Sequence, residues 1–120
     1  MSEYHEPPEL LSDDVKDHHR ALKSLQEEIE AVDWYNQRVA ACTSEALAKI
    51  LAHNRDEEIE HAVMTLEWLR RNNPVWDAQM RQYLFTEGEI TEIEAGSDGA
   101  PAADESAAGL GIGSQREEPQ

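Results

Sequence analysis

The sequence has few basic residues, a single cysteine and no long apolar run, and each of these shortages excludes a class of protein. Lys and Arg total 10 against 26 Asp and Glu, a formal net charge of −16 over 120 residues. A protein that binds phosphate backbones needs a basic face, so this balance argues against nucleic acid as a partner. An anionic membrane surface would repel the chain for the same reason. Cations are the expected ligands of so negative a chain.

The cysteine count and the hydropathy pattern argue against a secreted or membrane-spanning protein. Cys42 is the only cysteine, so no intramolecular disulfide can form, and a reducing cytoplasmic location is expected. The first ten residues, MSEYHEPPEL, lack the basic start and apolar run of a signal peptide. The apolar runs are only a few residues long, whereas a bilayer span requires roughly 20. We therefore expect a soluble protein.

Apolar residues in the first third of the chain have the spacing of one helical face. They are separated by three, four or seven positions: Val15, Leu22, Leu25, Ile29, Val32 and Val39. This spacing predicts a first helix over about residues 12–41, with Ser12 as its N-cap. Residues 1–9 are polar and contain Pro7 and Pro8, and are predicted to be a disordered N-terminus.

A second long helix is predicted after the break at CTSEA, with Thr43 or Ser44 as its N-cap. Its seam has an unbroken heptad spacing: Leu47, Leu51, Asn54, Glu58, His61, Thr65 and Trp68. The stretch RRNNP, residues 70–74, places cations in the last turn and a proline just beyond it, which ends the helix. A short third helix is expected over about residues 75–85.

These elements predict an all-α fold in which residues 10–94 form one helical domain. The two long helices would pack as an antiparallel hairpin, which buries only one stripe on each partner and so has a small core. The seams, about 40 Å long at 1.5 Å per residue, need more cover than one short helix gives. We therefore predict an obligate oligomer in which two chains form a four-helix bundle.

The composition changes after Gly88. Residues 95–109 are small, polar and turn-forming, without a periodic apolar face, and this pattern predicts a flexible linker. In residues 110–120, Leu110 and Ile112 lie two positions apart in a glycine-rich context. Two spaced apolar residues on a disordered tail are typical of a docking peptide. On composition alone, they are equally consistent with incidental apolar residues in a disordered terminus.

The residue pattern with the clearest chemistry is Glu58-x-x-His61, in which both side chains leave the second helix on one face. Both fall on the predicted seam, where a carboxylate would lose hydration unless something compensates it. A bound metal would do so, and carboxylates with one imidazole suit iron, manganese or zinc. The same spacing also occurs by chance in acidic helices, so the pair alone is a weak signal.

Glu28 and Tyr35 are seven residues apart and share a face of the first helix. Packing of the two helices would bring Glu28 opposite Glu58 and His61. One chain then supplies two carboxylates and one imidazole, too few for a two-metal centre, but a two-fold axis through the site doubles the set. Three more acidic residues lie off the seams: Glu27, Glu30 and Glu57. The default interpretation is that they form a solvated face, and the second is that they form a path for cations.

Three stretches, EEIEAVDWY, AHNRDEEIEHAVMTLEWLRR and YLFTEG, resemble the encapsulated ferritins, a ferritin-like family whose members are cargo of encapsulin nanocompartments. The resemblance covers about residues 5–94. It implies that two chains face each other and assemble a di-iron ferroxidase centre across their interface, and that five such dimers close into a decameric ring. It also implies that the protein oxidises Fe(II) with dioxygen and that the surrounding shell stores the product.

Carried onto this sequence, the iron ligands implied by the resemblance are Glu28, Glu58 and His61 from each of two chains, with Tyr35 close by. Glu27 and Glu30 match the positions through which the family takes up metal. A donor set made only of oxygen atoms, as at these two residues, suits calcium. Trp34 is implied to line the approach.

The tail LGIGSQR is similar to the encapsulin-targeting peptide of such cargo, although Gln115 stands where an apolar residue is common. The resulting expectation is a ferroxidase that oxidises Fe(II) for iron storage inside an encapsulin nanocompartment in the cytoplasm. The alternatives are a non-catalytic acidic helical adaptor, recruited to a shell by its tail, and a protein that passively sequesters divalent metal such as zinc or calcium.

Overall fold

The computed structural model of the chain describes residues 4–98, and all regular structure in that range is helical. A short 3-10 turn, Pro8–Leu10, is followed by four helices: α1 (Asp13–Ala41), α2 (Glu45–Asn72), α3 (Pro74–Tyr83) and α4 (Ile90–Asp98). The predicted all-α fold class is therefore confirmed. The chain divides into two compact units between Trp68 and Leu69, a boundary that lies within α2.

Side-chain caps fix where the three predicted helices begin. Ser12 Oγ accepts a hydrogen bond from Val15 N at 3.1 Å, as predicted. At the start of α2, Ser44 rather than Thr43 caps the helix, because Ser44 Oγ accepts from Leu47 N at 3.2 Å. Asn73 caps α3, which ends at Tyr83, two residues before the predicted end.

In the first unit, α1 and the part of α2 up to Trp68 pack as an antiparallel hairpin. Arg55 Nη1 donates to Asn36 Oδ1 at 3.1 Å. Ten residues further along α2, Thr65 Oγ1 donates to Glu28 Oε1 at 3.2 Å. Since later positions of α2 meet earlier positions of α1, the two helices run in opposite directions, and the predicted hairpin is confirmed.

The buried face of α2 follows the predicted seam only in part. Ala62 is 9% exposed and Leu69 is fully buried, and these two residues are seven positions apart. The predicted seam contained their neighbours His61 and Trp68 instead. Of the predicted seam residues, Glu58 and Thr65 are partly buried and lie on one stripe with Ala62 and Leu69, whereas His61 and Trp68 are exposed. The heptad spacing therefore predicted the period of the stripe and only part of its phase. On α1, Leu25 is buried as predicted.

The hairpin leaves many large apolar side chains in solvent. Nine of them are 43% to 62% exposed: Val15, Leu22, Ile29, Trp34, Leu47, Ile50, Ile59, Val63 and Met64. Scattered exposed apolar residues are ordinary, but this many on two helices leave an area that the hairpin alone does not cover. The predicted pairing of two chains into a four-helix bundle stays a prediction, and this uncovered area is the feature of the fold that favours it.

Both ends of the described range differ from the composition-based prediction. Residues 8–10 form a 3-10 turn within and next to the predicted disordered N-terminus. Residues 95–98, assigned from composition to the linker, lie at the end of α4. The rest of the predicted linker and the whole predicted docking tail lie outside the described residues. In the described range, no helix is both long and apolar enough to cross a membrane.

Candidate metal centre

Glu58 and His61 lie together on α2, as their spacing predicts. His61 Nδ1 is 3.7 Å from Glu58 Oε1, which is ion-pair distance if the imidazole is protonated. The Glu58 side chain is 30% exposed and that of His61 is 48% exposed. At these exposures, the hydration of both side chains is only partly removed in the single chain.

Glu28 reaches the same side of the hairpin from α1. Thr65 Oγ1 donates to Glu28 Oε1 at 3.2 Å and also to the backbone carbonyl oxygen of His61 at 3.1 Å. Since His61 and Thr65 are four residues apart on α2, the Glu28 carboxylate lies within about one helical turn of the imidazole. The structure therefore brings Glu28, Glu58 and His61 to one side of the hairpin.

Tyr35 lies two helical turns beyond Glu28 on the same face of α1, about 10 Å further along the helix axis. Its side chain is partly buried. The Arg38 guanidinium carbon lies 5.2 Å from the centroid of the Tyr35 ring. A guanidinium over an aromatic face is an attractive contact, so Arg38 helps to fix the orientation of the ring.

Glu27 and Glu30, the predicted uptake residues, are both exposed on α1. Trp34, one turn after Glu30, is 48% exposed. The acidic side chains on this part of α1 are therefore open to ions from solvent. Calcium at Glu27 and Glu30 stays a prediction.

The single chain holds only part of a donor set. Within residues 4–98, no three His, Cys, Asp or Glu side chains are grouped closely enough to hold a metal ion. Glu28, Glu58 and His61 share a side of the hairpin but do not converge on one point.

Thr65 is the residue that the sequence-based reasoning did not assign to the site. The spacing placed it on the predicted seam, but only as a packing position. A polar residue seven positions after Glu58 on that seam was the available signal. The sequence did not predict the contact of Thr65 with Glu28, which is 37 residues away.

Carboxylates and a Glu-x-x-His pair on one side of packed helices resemble the donors of ferritin-like helical bundles. The EncFtn-like family model matches residues 3–87, most of the chain. The chain belongs to this family, and the resemblance found in its motifs is confirmed.

Three relatives are similar to this chain over most of their own length. An "Encapsulated ferritin-like protein" of Rhodospirillum rubrum is 56% identical over 123 residues, covering 95% of this chain and 88% of the relative. A "Ferritin-like protein" of Thermotoga maritima is 59% identical over 97 residues, covering 81% of this chain and 85% of the relative. A crystal structure of a Nitrosomonas europaea protein superimposes with a TM-score of 0.72 at 57% identity, covering 74% of this chain and 98% of that one.

Proposed function

We propose that the chain is a ferroxidase, an Fe(II):oxygen oxidoreductase, whose di-iron centre is shared between two chains. The observation that carries the proposal is the placement of Glu28, Glu58 and His61 on one partly exposed side of the hairpin. Carboxylates with one imidazole suit iron, manganese or zinc, and Glu residues with Glu-x-x-His pairs are the donors of di-iron helical bundles. Membership of a ferritin-like family supports iron as the metal.

The shared centre follows from the number of donors. Each chain contributes two carboxylates and one imidazole, and a two-fold axis through the site doubles these to four carboxylates and two imidazoles. That set resembles the donors of di-iron carboxylate bundles, in which Glu residues and Glu-x-x-His pairs project inward from four helices. The half-exposed ligands and the uncovered apolar area of the hairpin become buried together when two chains pair.

Iron is the substrate of the proposed reaction. The net charge of −16 raises the local concentration of cations around the protein, and Glu27 and Glu30 provide the first contacts, beside Trp34. At the centre, carboxylates of Glu28 and Glu58 stabilise Fe(III) more than Fe(II), because an anionic oxygen donor interacts more strongly with the higher charge. Each Fe(II) therefore loses one electron to dioxygen more readily there than in water.

The proposed location is the interior of an encapsulin shell. The Rhodospirillum rubrum relative carries the word "Encapsulated" in its name, and the predicted docking tail would supply the contact with a shell protein. A decameric ring of five dimers is part of the same proposal. A small helical chain offers little space for mineral, so a surrounding shell would store the ferric product.

Anaerobic titration with Fe(II), followed by rapid mixing with dioxygen, tests this function. The proposal expects saturable binding of two Fe(II) per pair of chains, because each shared centre holds two metals. It then expects a fast rise of ferric absorbance. An adaptor would show no saturable binding. A sequestration protein for redox-inert metal would bind zinc or calcium in preference to iron, and would give no ferric signal beyond the slow background oxidation.

A further inference from the structure

We propose that Thr65 is a positioning residue for Glu28, holding one carboxylate oxygen so that the other is presented to iron. The inference rests on the proposed function and deepens it. It starts from the hydrogen bond between Thr65 Oγ1 and Glu28 Oε1, which joins α2 to α1 beside His61.

The Thr65 hydroxyl has one proton and two acceptors within reach. The His61 carbonyl oxygen, at 3.1 Å, is the local acceptor that a helical threonine ordinarily uses four residues back. Glu28 Oε1, at 3.2 Å, is a second acceptor on another helix. An ionised carboxylate is the stronger acceptor, so the hydroxyl can be drawn to Glu28 while the carbonyl remains available when Glu28 moves.

Fixing Oε1 restricts the orientation of the whole carboxylate group. A free glutamate side chain samples many rotamers, and ordering it on metal binding costs free energy. With Oε1 held by Thr65, the plane of the carboxylate is set before the metal arrives and Oε2 is left as the donor. Hydrogen bonds of this kind around metal ligands orient the ligand, and their removal weakens metal binding about 10- to 100-fold.

The side-chain chemistry of threonine suits this role in two respects. Its hydroxyl is the donor that an anionic carboxylate requires. Its β-branch limits χ1 in a helix to two main rotamers, and in the observed one Oγ1 contacts both Glu28 and the His61 carbonyl oxygen. Valine has the same shape without the donor, and serine has the donor without the branch. These two substitutions therefore separate hydrogen bonding from packing.

The test uses Co(II) under anaerobic conditions as a redox-inert probe, read by affinity and by its visible absorption spectrum. Thr65→Val is expected to weaken Co(II) binding about tenfold and to shift the spectrum, because the Glu28 carboxylate coordinates in a different geometry. Thr65→Ser is expected to restore most of the affinity and the original spectrum. Thr91→Val makes the same chemical change at an exposed position of α4 and should bind as the parent protein does.

A double substitution identifies the route by which Thr65 acts. If it acts through Glu28, then Thr65→Val adds little further loss in a Glu28→Ala background. An equal loss in both backgrounds would overturn the proposal. So would parent-like affinity and spectrum in Thr65→Val.

The proposed function fails by a different result. It fails if Glu28→Ala, Glu58→Ala and His61→Ala all bind Co(II) as the parent does. If these three variants lose binding while Thr65→Val does not, only the role of Thr65 is wrong. Circular dichroism of Thr65→Val confirms that a weaker affinity is measured on folded protein.

Discussion

Glu28→Ala, Glu58→Ala and His61→Ala are each expected to abolish rapid Fe(II) oxidation, lowering the initial rate by about 100-fold or more. Residues around a metal ligand already cost 10- to 100-fold when removed, and these three are the proposed ligands themselves. In a shared centre, one substitution removes two donors, because both chains carry it. The measurement is stopped-flow ferric absorbance after mixing anaerobic Fe(II)-loaded protein with dioxygen.

The variants should remain folded, which makes the loss of rate interpretable. The side chains of Glu58 and His61 are 30% and 48% exposed, so their truncation opens no closed core cavity. Glu60→Ala is the matched control, since Glu60 is an exposed glutamate on the same helix and its loss should leave the rate unchanged. Parent-like rates in all three ligand variants would refute the assigned centre.

Deleting residues 110–120 is expected to prevent loading into an encapsulin shell while leaving Fe(II) oxidation unchanged. The proposed anchors are Leu110 and Ile112, and burial of an aliphatic side chain of this size contributes about 1.5–3 kcal/mol. Loss of one anchor should therefore weaken docking about tenfold or more, and loss of both should remove it. Co-expression with the shell protein, purification of shells and quantification of the enclosed chain measure the effect.

The control deletion removes only residues 117–120, which are polar, and should load as the full chain does. Oxidation rates of the free proteins check that the helical domain is unaffected by either deletion. If the chain lacking 110–120 still entered shells at the full level, the tail would not be the docking element. A loss of oxidation rate in the same protein would instead link the tail to the centre.

Structural features that depend only on residues close together in the sequence could be predicted from the sequence. Ser12 and the apolar spacing, which are both local signals, predicted the bounds of α1. The end of α2 came from RRNNP, for the same reason. The sequence did not predict that residues 95–98 are helical, because their small, polar composition indicated a linker.

Features that depend on contacts between helices were only partly predictable. The spacing of Glu58 and His61 placed them on one face of α2, but did not determine whether that face is buried inside the chain. In the structure Glu58 is partly buried and His61 is exposed, because the burial of each residue depends on how the two helices pack. Predicting the contact of Thr65 with Glu28 requires the register of α1 against α2. The periodicity of a single helix does not determine that register.

The central claim is that one working centre needs ligands from two chains, and subunit mixing tests it most directly. Parent chains and inactive Glu58→Ala chains are unfolded together at varied ratios, refolded at constant total concentration and assayed for Fe(II) oxidation. If every centre needs two intact chains, the activity falls as the square of the parent fraction, so that half parent chains leave about a quarter of the rate. A linear fall, with half of the rate left at the same ratio, would show that each chain holds a complete centre and would contradict the account.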